Sequence, residues 1–168
     1  CSFGISVDYS KPAAMEAELV IAQINPSMPR TLGDSFIHIS DIDYIVEADT
    51  PLIELPPAGI SEVERAIGKN CASLIEDGDT LQLGAIPDAV LGFLKEKKDL
   101  GIHSEMISDG IVELYEAGVI TNRRKSLHAG KSIVTFLMGT RKLYDFADNN
   151  PAVELHPVDY VNDPYVIA

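Results

Sequence analysis

The sequence has no tryptophan and only two cysteines in 168 residues. Cys1 and Cys71 fall in no CxxC or other paired spacing. That excludes a disulfide framework and a structural zinc ribbon, and it suits a reducing compartment. No apolar run approaches the roughly 20 residues that a membrane-crossing helix needs. No basic segment leads into an apolar core, as a secretory signal would. The expected setting is therefore the cytoplasm, with no membrane partner. Positive charge is scarce too: 13 lysines and arginines stand against 26 acidic residues, a net charge of −13. Nucleic-acid affinity rests on neutralising phosphates, so a nucleic-acid partner is disfavoured. There is no Walker A sequence and no GxGxxG. There is no Gly-x-Ser-x-Gly elbow, which disfavours a serine hydrolase. His38, His103, His128 and His156 show no metal-ligand spacing, so no metal is expected.

What is present is a core. Hydrophobic residues make up 46% of the chain, enough for a folded globular protein. Pro12 opens a short alanine-rich helix over residues 13–18, and residues 19–24 read as a buried strand. Residues 36–40 and 42–47 are two further strand candidates. Residues 49–59 are rich in proline and glycine with no helical period, and read as a linker. This divides the chain into residues 1–56, the end of a first domain, and residues 57–168, the start of a second.

Ser61-x-x-Glu64 is a capping box, which satisfies orphan N–H groups at a helix start. Val63, Ala66, Ile67, Cys71 and Leu74 then recur at helical spacing as its buried face. A strand at Thr80, a helix over residues 87–98, a strand over 102–107 and a helix over 111–117 ended by Gly118 follow. Residues 132–138 form another strand, and Thr140 opens a helix to residue 148. Strands alternating with helices predict an α/β fold with a mostly parallel sheet and crossover helices.

Two stretches dominate. Gly78-Asp-Thr-Leu-Gln-Leu-Gly84-Ala-Ile-Pro87 reads as strand, tight turn and helix start. Gly84 permits the turn, and Pro87 suits a first helical turn where its missing N–H costs nothing. Gly101-Ile-His-Ser-Glu105-Met is a strand with a carboxylate inside it. Burying a charge for packing is expensive, whereas a strand's carboxyl end is where open α/β sheets hold ligands. Glu105 and His103, two residues apart, share a strand face. Asp109 is expected to cap the helix after it.

Charge is also uneven. Residues 117–144 contain no Asp or Glu, yet include Arg123, Arg124, Lys125, Lys131, Arg141 and Lys142. Such an island is most simply a solvated face; alternatively it meets an anionic ligand.

Leu81–Gly84, Ile86–Val90 and Gly101–Met106 together resemble the acetyl-CoA hydrolase/transferase family, a class I CoA-transferase group. The likeness continues through Met28-Pro-Arg-Thr-Leu-Gly33, Phe36-Ile-His-Ile-Ser40, Phe136-Leu-Met-Gly139 and Val158-Asp-Tyr-Val-Asn-Asp-Pro164. Within the family it is nearest to the 4-hydroxybutyrate and butyrate CoA-transferases. The turn Gly84-Ala85-Ile86-Pro87 is shorter than the family's Gly-Ile-Gly-Ala/Gly-Ile-Pro form. The resemblance implies the CoA-transferase fold, seen here as a central fragment spanning parts of two domains. It implies transfer of CoA between short-chain carboxylic acids through a glutamyl-CoA thioester, with Glu105 as the catalytic nucleophile. Gln82, Gly84, Ala85, Ile86, Pro87 and Met106 would contact substrate and CoA, the turn's N–H groups holding the oxyanion. CoA thioester would enter as substrate, with no resident cofactor. The partners would be acyl-CoA and short-chain carboxylates, and the enzyme a homodimer or homotetramer. The alternatives are an acetyl-CoA hydrolase on the same scaffold and a non-catalytic ligand-binding or assembly domain. The fragment is expected to be inactive alone, its first 50 or so residues packing poorly and leaving apolar surface open.

Overall fold

The computed structural model describes residues 1–83 and 88–167. Helix α1, Ser10–Glu16, leads to strand β1, Ile21–Ile24, then to β2, Leu32–Gly33, and β3, Tyr44–Glu47. Helix α2 covers Glu62–Ala72, β4 Thr80–Leu81 and α3 Asp88–Leu91. Strands β5, Gly101–Ile102, and β6, Met106–Ile107, precede helix α4, Asp109–Glu116. Strands β7, Ser132–Val134, and β8, Phe136–Leu137, lead to helix α5, Arg141–Ala147. Strand β9, Val153–Leu155, and the short helices α6, Val158–Val161, and α7, Pro164–Ile167, complete the order.

The strand ladders are parallel, as the alternation of strands and helices predicts. β4 pairs with β5, β6 with β8, and β9 lies between β7 and β2. A parallel bridge from His103 to Ile133 joins the first pair to the last three. The order is thus β4-β5-β7-β9-β2, with every strand's carboxyl end at one edge. The core sits against this sheet. Leu94, Leu100, Ile102, Ile107, Ile111, Leu114, Leu143 and Leu155 are fully buried in it.

A side-chain network fixes the middle of the sheet. Asn122, buried with φ 56°, accepts from the Ile102 amide at 2.8 Å. Its Nδ2 donates to the Tyr115 hydroxyl at 2.6 Å and to Ser132 Oγ at 3.2 Å. Burial pushes the Tyr115 hydroxyl above its ordinary pKa. Gly101 lies under the stem of Lys125: a Cβ there would stand 2.6 Å from Lys125 Cγ. Lys125 itself is buried, its Nζ donating to the carbonyls of Ile102 at 2.7 Å and Lys131 at 2.6 Å.

Several expectations need correction. Helix α2 begins on its capping box, Ser61 and Glu64 bonding each other's backbone N–H. Its apolar stripe, however, faces outward: Val63, Ala66, Ile67, Cys71 and Leu74 are exposed. The buried face is Gly68 and Ala72, because α2 approaches α3 so closely that a Cβ at Gly68 would lie 2.4 Å from the Ala89 carbonyl oxygen. The helix expected up to residue 98 ends at Leu91, beside Gly92. Strand β1 is not buried; Ile21 is 60% exposed and its partner Tyr44 62%. Residues 36–40 form no ladder strand but a bridge at Phe36 and a 3-10 turn, Ile39–Asp41.

The first 50 residues therefore divide. Residues 1–8 and 31–37 pack tightly: Val7 is fully buried, Ile37 is buried, Ser6 bridges to Phe136, and β2 joins the sheet. Apolar surface is left open on the β1–β3 ribbon and at Tyr9, Met15, Leu19 and Ile39. Asp109 does not cap its own helix through its side chain. It reaches across to α5, accepting from Thr140 N at 2.9 Å and from Thr140 Oγ1 at 2.8 Å.

Candidate active site

Glu105 stands at the carboxyl edge of the sheet, but not inside a continuous strand. The stretch expected as one strand is two, β5 and β6, with Ser104 and Glu105 in the break. The Glu105 carbonyl accepts from both Thr135 N at 2.9 Å and Phe136 N at 3.1 Å. The chain bends at Glu105 without a slip in register, since His103 pairs with Ile133 on one side of it and Met106 with Phe136 on the other. Here the bend leaves Ser104 fully buried and Glu105 exposed.

Ser104 ties the bend to the adjacent strand. Its Oγ accepts from Leu83 N at 3.0 Å and lies within donating reach of Leu83 O at 3.0 Å and Met106 O at 2.9 Å. Leu83 immediately precedes the glycine turn. β4 and β5 are adjacent and parallel, as a site shared between the turn and Glu105 requires. The turn residues Gly84, Ala85, Ile86 and Pro87, and with them its shortened form, lie outside the described residues. Gln82 is exposed beside β4, alternating with buried Leu81 as the strand period predicts, so its side chain is not a buried amide. Met106 is half-buried in β6.

Helix α6 closes over Glu105 from the other side. Asn162, at its carboxyl end, donates from Nδ2 to Glu105 Oε2 at 3.2 Å. The buried Asn162 Oδ1 has no hydrogen-bond partner among the described residues. His103 holds the same helix: its Nε2 meets the Val161 carbonyl at 2.9 Å. His103 and Glu105 thus both face α6, the shared face that their spacing implies. Burial holds the His103 imidazole below its ordinary pKa, against the opposing pull of the Val161 carbonyl. In the sequence Asn162 stands out only as part of the Val158–Pro164 motif, and its bond to Glu105 crosses 57 residues.

The basic island does not form one surface. Arg124 donates to the Asp77 carbonyl at 2.7 Å, and Lys131 pairs with Glu154. Arg141 bonds Asp145 at 2.6 Å, and Lys142 lies 3.7 Å from Glu116. Lys125 is in the core. The cations are dispersed over separate partners.

Residues 1–55 match the acetyl-CoA hydrolase/transferase N-terminal domain, and residues 139–168 the C-terminal domain of the same family. The chain belongs to the acetyl-CoA hydrolase/transferase family. It is 72% identical to the 4-hydroxybutyrate coenzyme A transferase of Clostridium kluyveri over 99% of its own length and 39% of that protein's. It is 49% identical to the succinyl-CoA:cyclohexane-1-carboxylate CoA transferase of Geobacter metallireducens, over 97% and 38%. The crystal structure of the 4-hydroxybutyrate CoA-transferase from Porphyromonas gingivalis superimposes with a TM-score of 0.95 at 50% identity, covering 99% of this chain and 43% of that one. The chain thus spans about two fifths of the length of these relatives. Among the described residues, no helix is long and apolar enough to cross a membrane.

Proposed function

We propose that the protein containing this chain transfers CoA between short-chain carboxylic acids, with Glu105 as covalent nucleophile. The observation that carries the reading is the exposed Glu105 carboxylate, set at a strand bend on the carboxyl edge of a parallel sheet and held by Asn162. The likeness to 4-hydroxybutyrate and butyryl-CoA:acetate transferases supports 4-hydroxybutyrate or butyrate, with acetyl-CoA, as the substrate pair.

In this reading a Glu105 oxygen attacks the acyl-CoA carbonyl carbon. The carbon–sulfur bond breaks, CoA leaves as thiolate, and a mixed anhydride remains. The thiolate then attacks the glutamyl carbonyl and expels the first carboxylate, leaving glutamyl-CoA. An acceptor carboxylate reverses the two steps and departs as the new thioester, restoring Glu105. Gln82, Gly84, Ala85, Ile86, Pro87 and Met106 are the residues assigned to substrate and CoA contact in this reading. CoA is a substrate here, so no resident cofactor is required. Cytoplasmic location and homo-oligomeric assembly complete the proposal. The family description also covers hydrolysis, in which water replaces the acceptor acid.

The test is Glu105→Ala in the protein that contains this chain, assayed for transfer from acetyl-CoA to 4-hydroxybutyrate and butyrate. Borohydride added after acyl-CoA should reduce a thioester at residue 105, visible by mass spectrometry. Activity retained in the alanine variant would overturn the nucleophile. Product analysis with and without acceptor separates transferase from hydrolase.

A further inference from the structure

His128 lies far in sequence from Glu154 and His156, and the spacing of the three resembles no metal motif. The fold brings them together. Glu154 lies in β9, and His156 follows on the same strand face two residues later. His128 comes from the turn between α4 and β7, with φ 51°. One ligand atom from each of the three lies within 4.8 Å of the others, the one such group among the described residues. Glu154 Oε2 is 3.1 Å from His156 Nε2 and 3.8 Å from His128 Nδ1. Donors around a tetrahedral ion at about 2.1 Å are roughly 3.4 Å apart, between these two separations.

We propose that His128, Glu154 and His156 bind a divalent transition-metal cation of the zinc class. The donor set favours that class. Two imidazoles and one carboxylate without thiolate suit Zn²⁺ better than Cu⁺, which prefers sulfur, or Mg²⁺, which prefers all-oxygen octahedra. Three protein ligands leave a fourth position for water.

The surroundings are arranged for ligation. His128 Nε2 meets the Tyr160 hydroxyl at 2.7 Å, which leaves Nδ1 turned toward Glu154. Metal-binding histidines commonly have their second nitrogen held in this way, fixing tautomer and ring orientation. Lys131 pairs with Glu154 Oε1, the oxygen that does not face the histidines; Oε2 is hydrogen-bonded to His156 Nε2 at 3.1 Å, and an ion takes the place of the proton they share. The side chains of Glu154 and His156 are 15% exposed and that of His128 28%, sheltered yet open to entry from solvent.

The site lies at the root of α6. That helix starts two residues after His156, carries Tyr160, and presents Asn162 to Glu105. A bound ion braces the turn from β9 into α6, and so the segment that positions Asn162.

The test is Zn²⁺ titration by calorimetry together with the visible spectrum of the Co²⁺ form. Cys71→Ser and Cys1→Ser are present throughout, because both thiols are exposed. The expected result is one ion per chain, with d–d bands of a four-coordinate nitrogen–oxygen site and no thiolate charge transfer. His128→Ala and His156→Ala should each abolish it. Tyr160→Phe should weaken it about tenfold, as loss of an outer-shell partner does. Zn²⁺ should slow amide exchange over residues 157–162 in the parent protein and not in the histidine variants. Circular dichroism of the metal-free variants checks that they fold. Absence of stoichiometric binding, or equal affinity in folded histidine variants, would overturn the proposal. None of these readouts depends on transfer activity.

Discussion

Asn162 Nδ2 lies 3.2 Å from Glu105 Oε2, a bond between a helix end and a strand bend across 57 residues. It holds one carboxylate oxygen; in the proposed reaction the other attacks. Asn162→Ala removes only this donor, since Asn162 Oδ1 bonds nothing among the described residues. Hydrogen bonds to charged groups are worth about 1.5–3 kcal/mol, and this one is exposed, so the low end applies. The expected outcome is a roughly tenfold fall in kcat/KM with little change in melting temperature. Asn162→Asp should be worse, because a second carboxylate repels the first. Steady-state kinetics on the two variants check this; wild-type activity in Asn162→Asp would refute it.

Ser104 fixes the bend itself. Ser104→Ala leaves the Leu83 N–H without its partner in a partly buried place, which costs about 1 kcal/mol, the low end for such a loss. The melting temperature should fall, and kcat should fall with it as the β4 end and the Glu105 bend lose register. Ser104→Thr keeps the hydroxyl and should restore most of both. If alanine and threonine behave alike, the hydroxyl is not what holds the bend.

The α/β class was legible because residues 80–83, 101–107 and 132–138 are apolar at the right lengths between helical patterns. Glu105 could be singled out as a candidate because a lone carboxylate in such a strand has no packing reason to be there and because its motif resembles the family's. The bond to Asn162 was not, since no local period relates a strand to a helix 57 residues on. The His128–Glu154–His156 group was hidden likewise: strand β9 is short, and the turn that carries His128 has no period at all. The outward stripe of α2 misled for another reason. Periodicity marks which residues share a face, but Gly68 decided which face could approach α3.

Gly101→Ala tests the packing beneath the sheet. The new Cβ would stand 2.6 Å from Lys125 Cγ, 2.9 Å from Cδ and 3.1 Å from Thr80 Oγ1. The lysine stem cannot simply swing away, because Nζ is anchored to two carbonyls. Overpacking of this kind costs about 1–3 kcal/mol. In a double-mutant cycle with Lys125→Met, denaturant unfolding should show non-additive losses. Strict additivity would mean that Lys125 is not what the methyl group meets.

Lys125 also predicts how stability changes with pH. Burial pushes its pKa down from 10.5 to about 8, only partly offset by Glu154. Below pH 8 both folded and unfolded chains carry the proton, and the folded state bears the full cost of a buried ammonium. Between pH 8 and 10.5 the unfolded chain keeps a proton that the folded chain has released, so stability rises with pH. One proton gives a slope of at most about 1.4 kcal/mol per pH unit. Tyr115 and Tyr144 act in the opposite sense. Burial raises both, so the unfolded chain ionises first and stability falls as pH passes 10. The informative window is therefore pH 8 to 10. Lys125→Met loses the bonds to Ile102 and Lys131, which shifts its stability by an offset that does not depend on pH. Only the slope is diagnostic: urea unfolding across the window should show a rise in the parent protein that flattens in the methionine variant. Parallel curves would show that Lys125 does not titrate there.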